Sequence, residues 1–178
     1  MFINNRHSIR LPGYDYSSDG WYFVTVCTEN REDILGEIKD KHMELNEFGK
    51  MVEKTIKNFS EYKNVFVDTY CLMPNHIHVI LVIVGAGHCA SPTMKDRYQF
   101  GSTQRSTPTL GEYIKRLKTM TTFVYTENVK KNNWIPFNKR VWQRNYYEHI
   151  IRSEKELNQT RQYIHDNPMN WEGDEENI

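Results

Sequence analysis

Cys71-Leu72-Met73-Pro74-Asn75-His76-Ile77-His78-Val79-Ile80 constrains this chain more than any other stretch. Pro74-Asn75 is a turn signal, and the aliphatic run that follows to Val84 reads as a strand starting where the chain reverses. A strand alternates its side chains between faces, so His76 and His78 stand side by side on one of them. Two imidazoles on a rigid strand are half of a metal site. Such a pair also occurs with a purely structural role, so its meaning rests on what else reaches that face.

The neighbouring pattern predicts the rest of a fold. Trp21 to Thr28 is aromatic and β-branched and reads as a buried strand. Ile34 to Leu45 predicts a short hairpin turning near Lys39-Asp40-Lys41. Asn46 can cap a helix running to about Phe59, with Phe48, Met51, Val52, Thr55, Ile56 and Phe59 on one stripe. Val65 to Leu72 is a second long strand and His76 to Val84 a third, paired across the Pro-Asn turn. Residues 85–108 are Gly-, Ser-, Thr- and Pro-rich without a period, which predicts a long mobile loop. Thr109-Leu110-Gly111-Glu112 is a capping box opening a helix to roughly Asn128. Its inner face would carry Ile114, Leu117, Thr121 and Val124, with Lys115, Arg116 and Lys118 largely outside. Val141 to Ile151 is strand-like. Ser153-Glu154-Lys155-Glu156 is a second capping box, and its helix should end near Asn167, before Pro168.

Strand, helix, strand, strand, helix, strand is the order of a ferredoxin-like or RRM-like α+β fold. That fold is a four-stranded antiparallel sheet with two helices on one face. The extra C-terminal helix is then free to cover the other face. If the histidines point that way, the helix lies over them.

Length and composition agree with one domain over residues 1–170, followed by an acidic tail at 171–178. At 38% hydrophobic residues and a mean hydropathy of −0.74, with no apolar run long enough to span a bilayer, a membrane protein is not expected. Cys27, Cys71 and Cys89 follow no disulfide or metal spacing, so a reducing cytoplasm fits. Net charge is zero, yet without Glu172, Asp174, Glu175 and Glu176 the body stands at about +4. That is a weak preference for phosphate-bearing partners. The tail itself would ordinarily be solvated and disordered.

On the last helix Tyr163 and Asn167 are four residues apart and therefore share a face. Asn167 could offer an oxygen to a cation held by His76 and His78, placing Tyr163 beside that cation as a nucleophile toward phosphate. A free tyrosine titrates near ~10, so it needs help in losing its proton. His149 and His165 are candidate helpers, and spacing selects neither. Asn167 equally suits a helix C-terminus, where asparagine tolerates the left-handed conformation. Tyr146 and Tyr147 are adjacent and face opposite ways, so at most one could approach the metal.

These residues resemble those of the HUH single-strand DNA transesterases, in the single-tyrosine (Y1) branch of IS200-like transposases. The likeness is greatest to the REP-associated tyrosine transposases. It runs through Ser8-Ile9-Arg10-Leu11-Pro12-Gly13-Tyr14-Asp15-Tyr16, Leu45-Asn46-Glu47-Phe48-Gly49-Lys50 and Met73-Pro74-Asn75-His76-Ile77-His78. It continues through Trp142-Gln143-Arg144-Asn145-Tyr146-Tyr147-Glu148-His149-Ile150-Ile151-Arg152 and Tyr163-Ile164-His165-Asp166-Asn167-Pro168. The resemblance implies cleavage and rejoining of single-stranded DNA at hairpins, with Mg²⁺ or Mn²⁺ as cofactor and a covalent 5′-phosphotyrosine. It implies Tyr163 as nucleophile and His76, His78 and Asn167 as metal ligands, the last in place of the glutamine of mobile IS200 elements. Relatives of this kind act as monomers or homodimers.

In that setting Lys115, Arg116, Lys118 and Arg144 become candidate DNA contacts, as do Arg6 and Arg10 in a basic arm with Tyr14 and Tyr16. Outside it the helix cations are a solvated face and the arm a frayed terminus. Two other functions stand beside this one. The first is a non-catalytic single-stranded nucleic-acid-binding module on the same sheet. The second is a histidine-triad nucleotide hydrolase, against which Ile80 counts, since it occupies the place of the third histidine.

Overall fold

The computed structural model describes residues 13–62, 64–84, 108–174, 176 and 177. Arg6 and Arg10 of the basic arm and the loop predicted from Gly85 lie outside them. The protein is α+β: strands β1 (Gly20–Cys27), β4 (Val65–Leu72), β5 (His76–Ile83) and β6 (Tyr147–Ile151) form one antiparallel sheet in the order β4-β5-β1-β6. Strands β2 (Gly36–Lys39) and β3 (His42–Leu45) form a separate hairpin, turning through Asp40 and Lys41 with φ of 48° and 64°. Positive φ at both turn residues matches the twist of the flanking strands.

Two helices, α1 (Glu47–Lys57) and α2 (Leu110–Lys131), cover one face. Asn46 caps α1 through its side-chain oxygen, which accepts from the Gly49 N–H at 2.9 Å. Phe48, Val52 and Ile56 of α1 and Leu110, Ile114 and Leu117 of α2 are buried against Tyr22, Val24 and Val26 of β1 and Ile77, Val79, Leu81 and Ile83 of β5. The alternate residues of β1 and β5 therefore face the other way, and helix α3 (Glu154–Asp166) lies there. Leu157 and Ile164 of α3 are buried with Ile80 and Ile151, beside Trp21, Phe23 and Cys71. The capping box predicted at Thr109 is complete, and α2 runs one turn past Asn128, burying Tyr125 where Val124 was expected. Tyr125 is drawn inward by Phe48 and Trp134 and by its hydroxyl bond to the Ile135 carbonyl at 3.0 Å.

Two expectations need correcting. The strand predicted from Val141 begins only at Tyr147. Lys118, expected to point outward, is the cause: its ammonium donates to the carbonyls of Gln143 and Asn145 at 2.9 Å and of Arg144 at 3.5 Å. Carbonyls turned toward one cation cannot serve a strand ladder. Burial pulls the pKa of Lys118 down to about 8. The chain also keeps winding beyond the predicted stop at Pro168. Residues Asn167–Gly173 form a 3₁₀ segment with the proline in its first turn, where no N–H is needed.

The setting of α3 on the sheet depends on a bulge. Register in the β4–β5 pair shifts between Val67 and Thr69, leaving Asp68 outside the ladder. Its carboxylate, almost fully buried, receives a bidentate pair from Arg161 of α3, with Nε to Oδ2 at 2.7 Å. Removing one partner of such a pair strands the other charge. Asp68→Ala should lower unfolding free energy by about 2–4 kcal/mol, read from the urea midpoint. Replacing Asp68 and Arg161 together with apolar residues should recover most of that loss.

Candidate metal and nucleophile site

Strand β5 begins directly after the Pro74-Asn75 turn, so its first and third side chains lie on the α3 face, both buried. Each imidazole is oriented by a bond at Nδ1. His78 Nδ1 meets the Thr25 hydroxyl at 2.9 Å, from the cross-strand neighbour on β1. His76 Nδ1 meets Asn75 Oδ1 at 2.8 Å. The Asn75 amide group is fixed because its Nδ2 donates to the carbonyls of Glu176 at 3.0 Å and Arg31 at 3.4 Å. Oδ1 is thus the acceptor, and His76 carries its proton on Nδ1, so its Nε2 lone pair faces His78. The two Nε2 atoms lie 3.0 Å apart.

Burial drives His76 down to about 4, Asp174 opposing the shift and Arg31 adding to it. His78 lies well below its ordinary value for the same reason, with His76 adding to it. Both rings are neutral at pH 7, the state that ligates metal.

Helix α3 brings Tyr163 to this pair. Its hydroxyl lies 3.3 Å from His78 Nε2, and its ring meets Phe23 edge-on at 6.0 Å, while Phe23 stacks on His78 at 5.4 Å. Tyr163 remains 48% exposed, enough for a polymer to reach its oxygen. The helix start is secured by Ser153, which accepts from Glu156 N, while the Glu156 carboxylate turns to Arg152 N at 2.7 Å and His149 at 2.6 Å. The two histidines considered as helpers are engaged elsewhere, His149 with Glu156 and His165 with Asp166. Tyr147 lies on the site face, 6.2 Å from Phe23, whereas Tyr146 packs on the opposite core.

Asn167 is 2% exposed. Its Nδ2 donates to Asp174 at 2.8 Å, and its Oδ1 is buried without a hydrogen-bond partner, an oxygen available to a cation. The 3₁₀ segment returns Asp174 to the histidines: His76, His78 and Asp174 offer ligand atoms all within 4.8 Å of one another. Two imidazoles and a carboxylate form a donor set that suits a divalent ion, and Asn167 is tied to that carboxylate through its Nδ2.

Asp174 was not singled out from sequence, because it stood in a stretch read as a solvated acidic tail. Much of that stretch lies against the site instead. Trp171 stands 6.0 Å from the His76 ring, and Glu176 pairs with Arg31 at 2.7 Å. The available signal was a carboxylate seven residues beyond Asn167, following a helix that already carries Tyr163.

The candidate DNA cations are not gathered here. Lys115 and Arg116 are exposed on α2, on the opposite face of the sheet, with Arg116 lying 4.1 Å over the Tyr62 ring. Arg144 is exposed on the connector that Lys118 holds, and the Lys118 ammonium is engaged by backbone. Thr25 and Asn75 hold the ligands in place and were not legible as such. Thr25→Val, which keeps shape but removes the hydroxyl at His78, should weaken Mn²⁺ binding by about 10–100-fold in calorimetric titration while leaving the circular dichroism of the fold intact.

No protein-family model matches the chain. An uncharacterized protein of Haemophilus influenzae is 39% identical over 176 residues, which is 97% of this chain and 93% of that protein. A second Haemophilus influenzae protein, provisionally named a REP-associated tyrosine transposase, is 24% identical over 155 residues, 87% of this chain and 73% of its own. Among solved structures, a REP-associated tyrosine transposase bound to a REP hairpin superposes with a TM-score of 0.52 at 16% identity, over 91% of this chain and 73% of that one. At that identity the superposition speaks for the fold, and no helix among the described residues is long and apolar enough to cross a membrane. The sheet order and the added helix agree with this likeness: the chain shares the fold of that transposase and is similar in sequence to the relative that bears the same name.

Proposed function

We propose that the protein is a metal-dependent transesterase that cleaves and rejoins single-stranded DNA at hairpins through Tyr163. The observation that carries this reading is the 3.3 Å approach of the Tyr163 hydroxyl to His78 Nε2, itself 3.0 Å from His76 Nε2. A nucleophile beside two converging neutral imidazoles is an arrangement that suits metal-assisted phosphoryl transfer. His76 and His78 are the nitrogen ligands, and Asp174 with Asn167 supplies oxygen. When bound there, Mg²⁺ or Mn²⁺ stabilises charge on the phosphate and on the departing oxygen.

The residues of the chain do the rest. Phe23 and the Asp68–Arg161 pair fix the tyrosine ring over the sheet, so that its oxygen is presented before substrate arrives. Tyr163 Oη bonds to phosphorus, the bond from phosphorus to the 3′ oxygen breaks, and that oxygen leaves as a 3′-hydroxyl. The tyrosine proton is lost to solvent, which also protonates the leaving oxygen. The product is a 5′-phosphotyrosine. One phosphodiester replaces another, so a 3′-hydroxyl can attack the adduct, join a strand and restore the tyrosine. Hairpin DNA as the partner is supported by the structural relative of the same fold, which was solved with a REP hairpin. Arg144, Lys115 and Arg116 are exposed cations available to DNA phosphates, and Arg6 and Arg10 remain candidates of the same kind.

The test uses hairpin oligonucleotides from palindromes flanking the gene, labelled at the 3′ end and incubated with the protein and Mn²⁺. Label should remain on the protein through SDS denaturation, and Tyr163→Phe should abolish it. An adduct persisting in Tyr163→Phe moves the nucleophile to Tyr147. Hairpin binding without any adduct favours a non-catalytic binding module. Separately, Asp174→Ala should weaken Mn²⁺ affinity by about tenfold or more. Unchanged affinity would leave Asn167 as the sole oxygen donor.

A further inference from the structure

Beside Tyr163 the end of α3 and the 3₁₀ segment enclose a cleft of about 600 Å³, lined by Gln159, Gln162, Tyr163, Asp166, Asn167, Asn170, Gly173 and Asp174. Four of these eight residues are amides and two are carboxylates, and no lysine, arginine or histidine lines the cleft. A surface of that kind does not follow a phosphate backbone, because its fixed charges are negative. Amides and carboxylates are instead the side chains that read base edges.

The hydrogen bonds give the lining a polarity. Gln162 Nε2 donates to Asp166 Oδ2 at 2.7 Å, Asn170 Nδ2 to the Asp166 carbonyl at 3.1 Å, and Asn167 Nδ2 to Asp174 at 2.8 Å. Carboxylates and carbonyls only accept, so the amino ends of these three amides must face them. The oxygens of the exposed Gln162 and Asn170 are the ends left over, while Asn167 Oδ1 is buried behind them. Gln159, which makes no side-chain hydrogen bond among the described residues, keeps both ends. The cleft is therefore rich in acceptors.

We infer that this cleft is a base-reading pocket, taking an unpaired nucleobase next to the phosphate that Tyr163 attacks and preferring bases with amino-group donors over thymine. This rests on the proposed transesterase reading and adds where sequence is read. Tyr163 forms a wall of the cleft and touches the histidine pair, so a base in the cleft and a phosphate at the histidines belong to neighbouring parts of one strand. A volume of about 600 Å³ accommodates a base with solvent, within the usual range of ligand pockets.

The experiment measures binding by the full-length wild-type protein in EDTA, so that nothing is cleaved. Fluorescent hairpins from the flanking palindromes carry single-stranded extensions of dA, dC, dT or abasic sites. The dA and dC extensions should bind about fivefold or more tighter than dT or abasic ones. The double variant Gln159→Ala, Asn170→Ala, changed at exposed positions, should lose that preference. Equal affinity for all extensions, or a preference surviving in the double variant, overturns the base-reading assignment alone. Failure to bind any hairpin overturns it together with the proposed function.

Discussion

The site depends on a pair of imidazoles that would be costly to bury in any other state. Each ring keeps its Nδ1 on a protein oxygen, Thr25 for His78 and Asn75 for His76, so the two Nε2 atoms converge. Buried lone pairs aimed at one point repel each other unless something positive lies between or beside them. The surrounding residues sharpen that need rather than meet it. Asp174 carries negative charge to the same place, and Asn167 leaves one oxygen unmatched. What would be a defect in an apolar core is here a candidate cation site.

The rest of the molecule holds a tyrosine against that point. The β1–β5 pair lays Thr25 opposite His78, and the bulge at Asp68 turns a carboxylate toward Arg161 two residues before Tyr163. Apolar contacts of Leu157 and Ile164 set the depth of the helix, and the ion pair sets its rotation. Because the pair is bidentate, it tolerates little rotation about the helix axis.

Elements built from local signals were legible in the sequence. The β5 strand and its histidine pair, the Asn46 cap, the Thr109 capping box and the span of α3 each follow from a few adjacent residues. Features that depend on distant partners were not. The shortened β6 strand results from an ammonium 25 residues away in sequence, at Lys118. Asp174 enters the site only because the chain winds on past Pro168, where a proline ordinarily signals a stop. The orienting roles of Thr25 and Asn75 are visible only once the strands are in register. Asn167, readable as a ligand or as a helix end, is found at the helix end with a ligand-like oxygen.

The donors come from parts of the chain far apart in sequence: an orienting hydroxyl at residue 25, the nitrogens at 76 and 78, and the carboxylate at 174. No local segment holds them together. Bringing them within reach costs loop-closure entropy that only the completed sheet and its covering helix repay. The cation site and the fold should therefore melt as one cooperative unit. A bound ion would act as a clasp on the whole domain, raising its melting temperature as ion concentration rises.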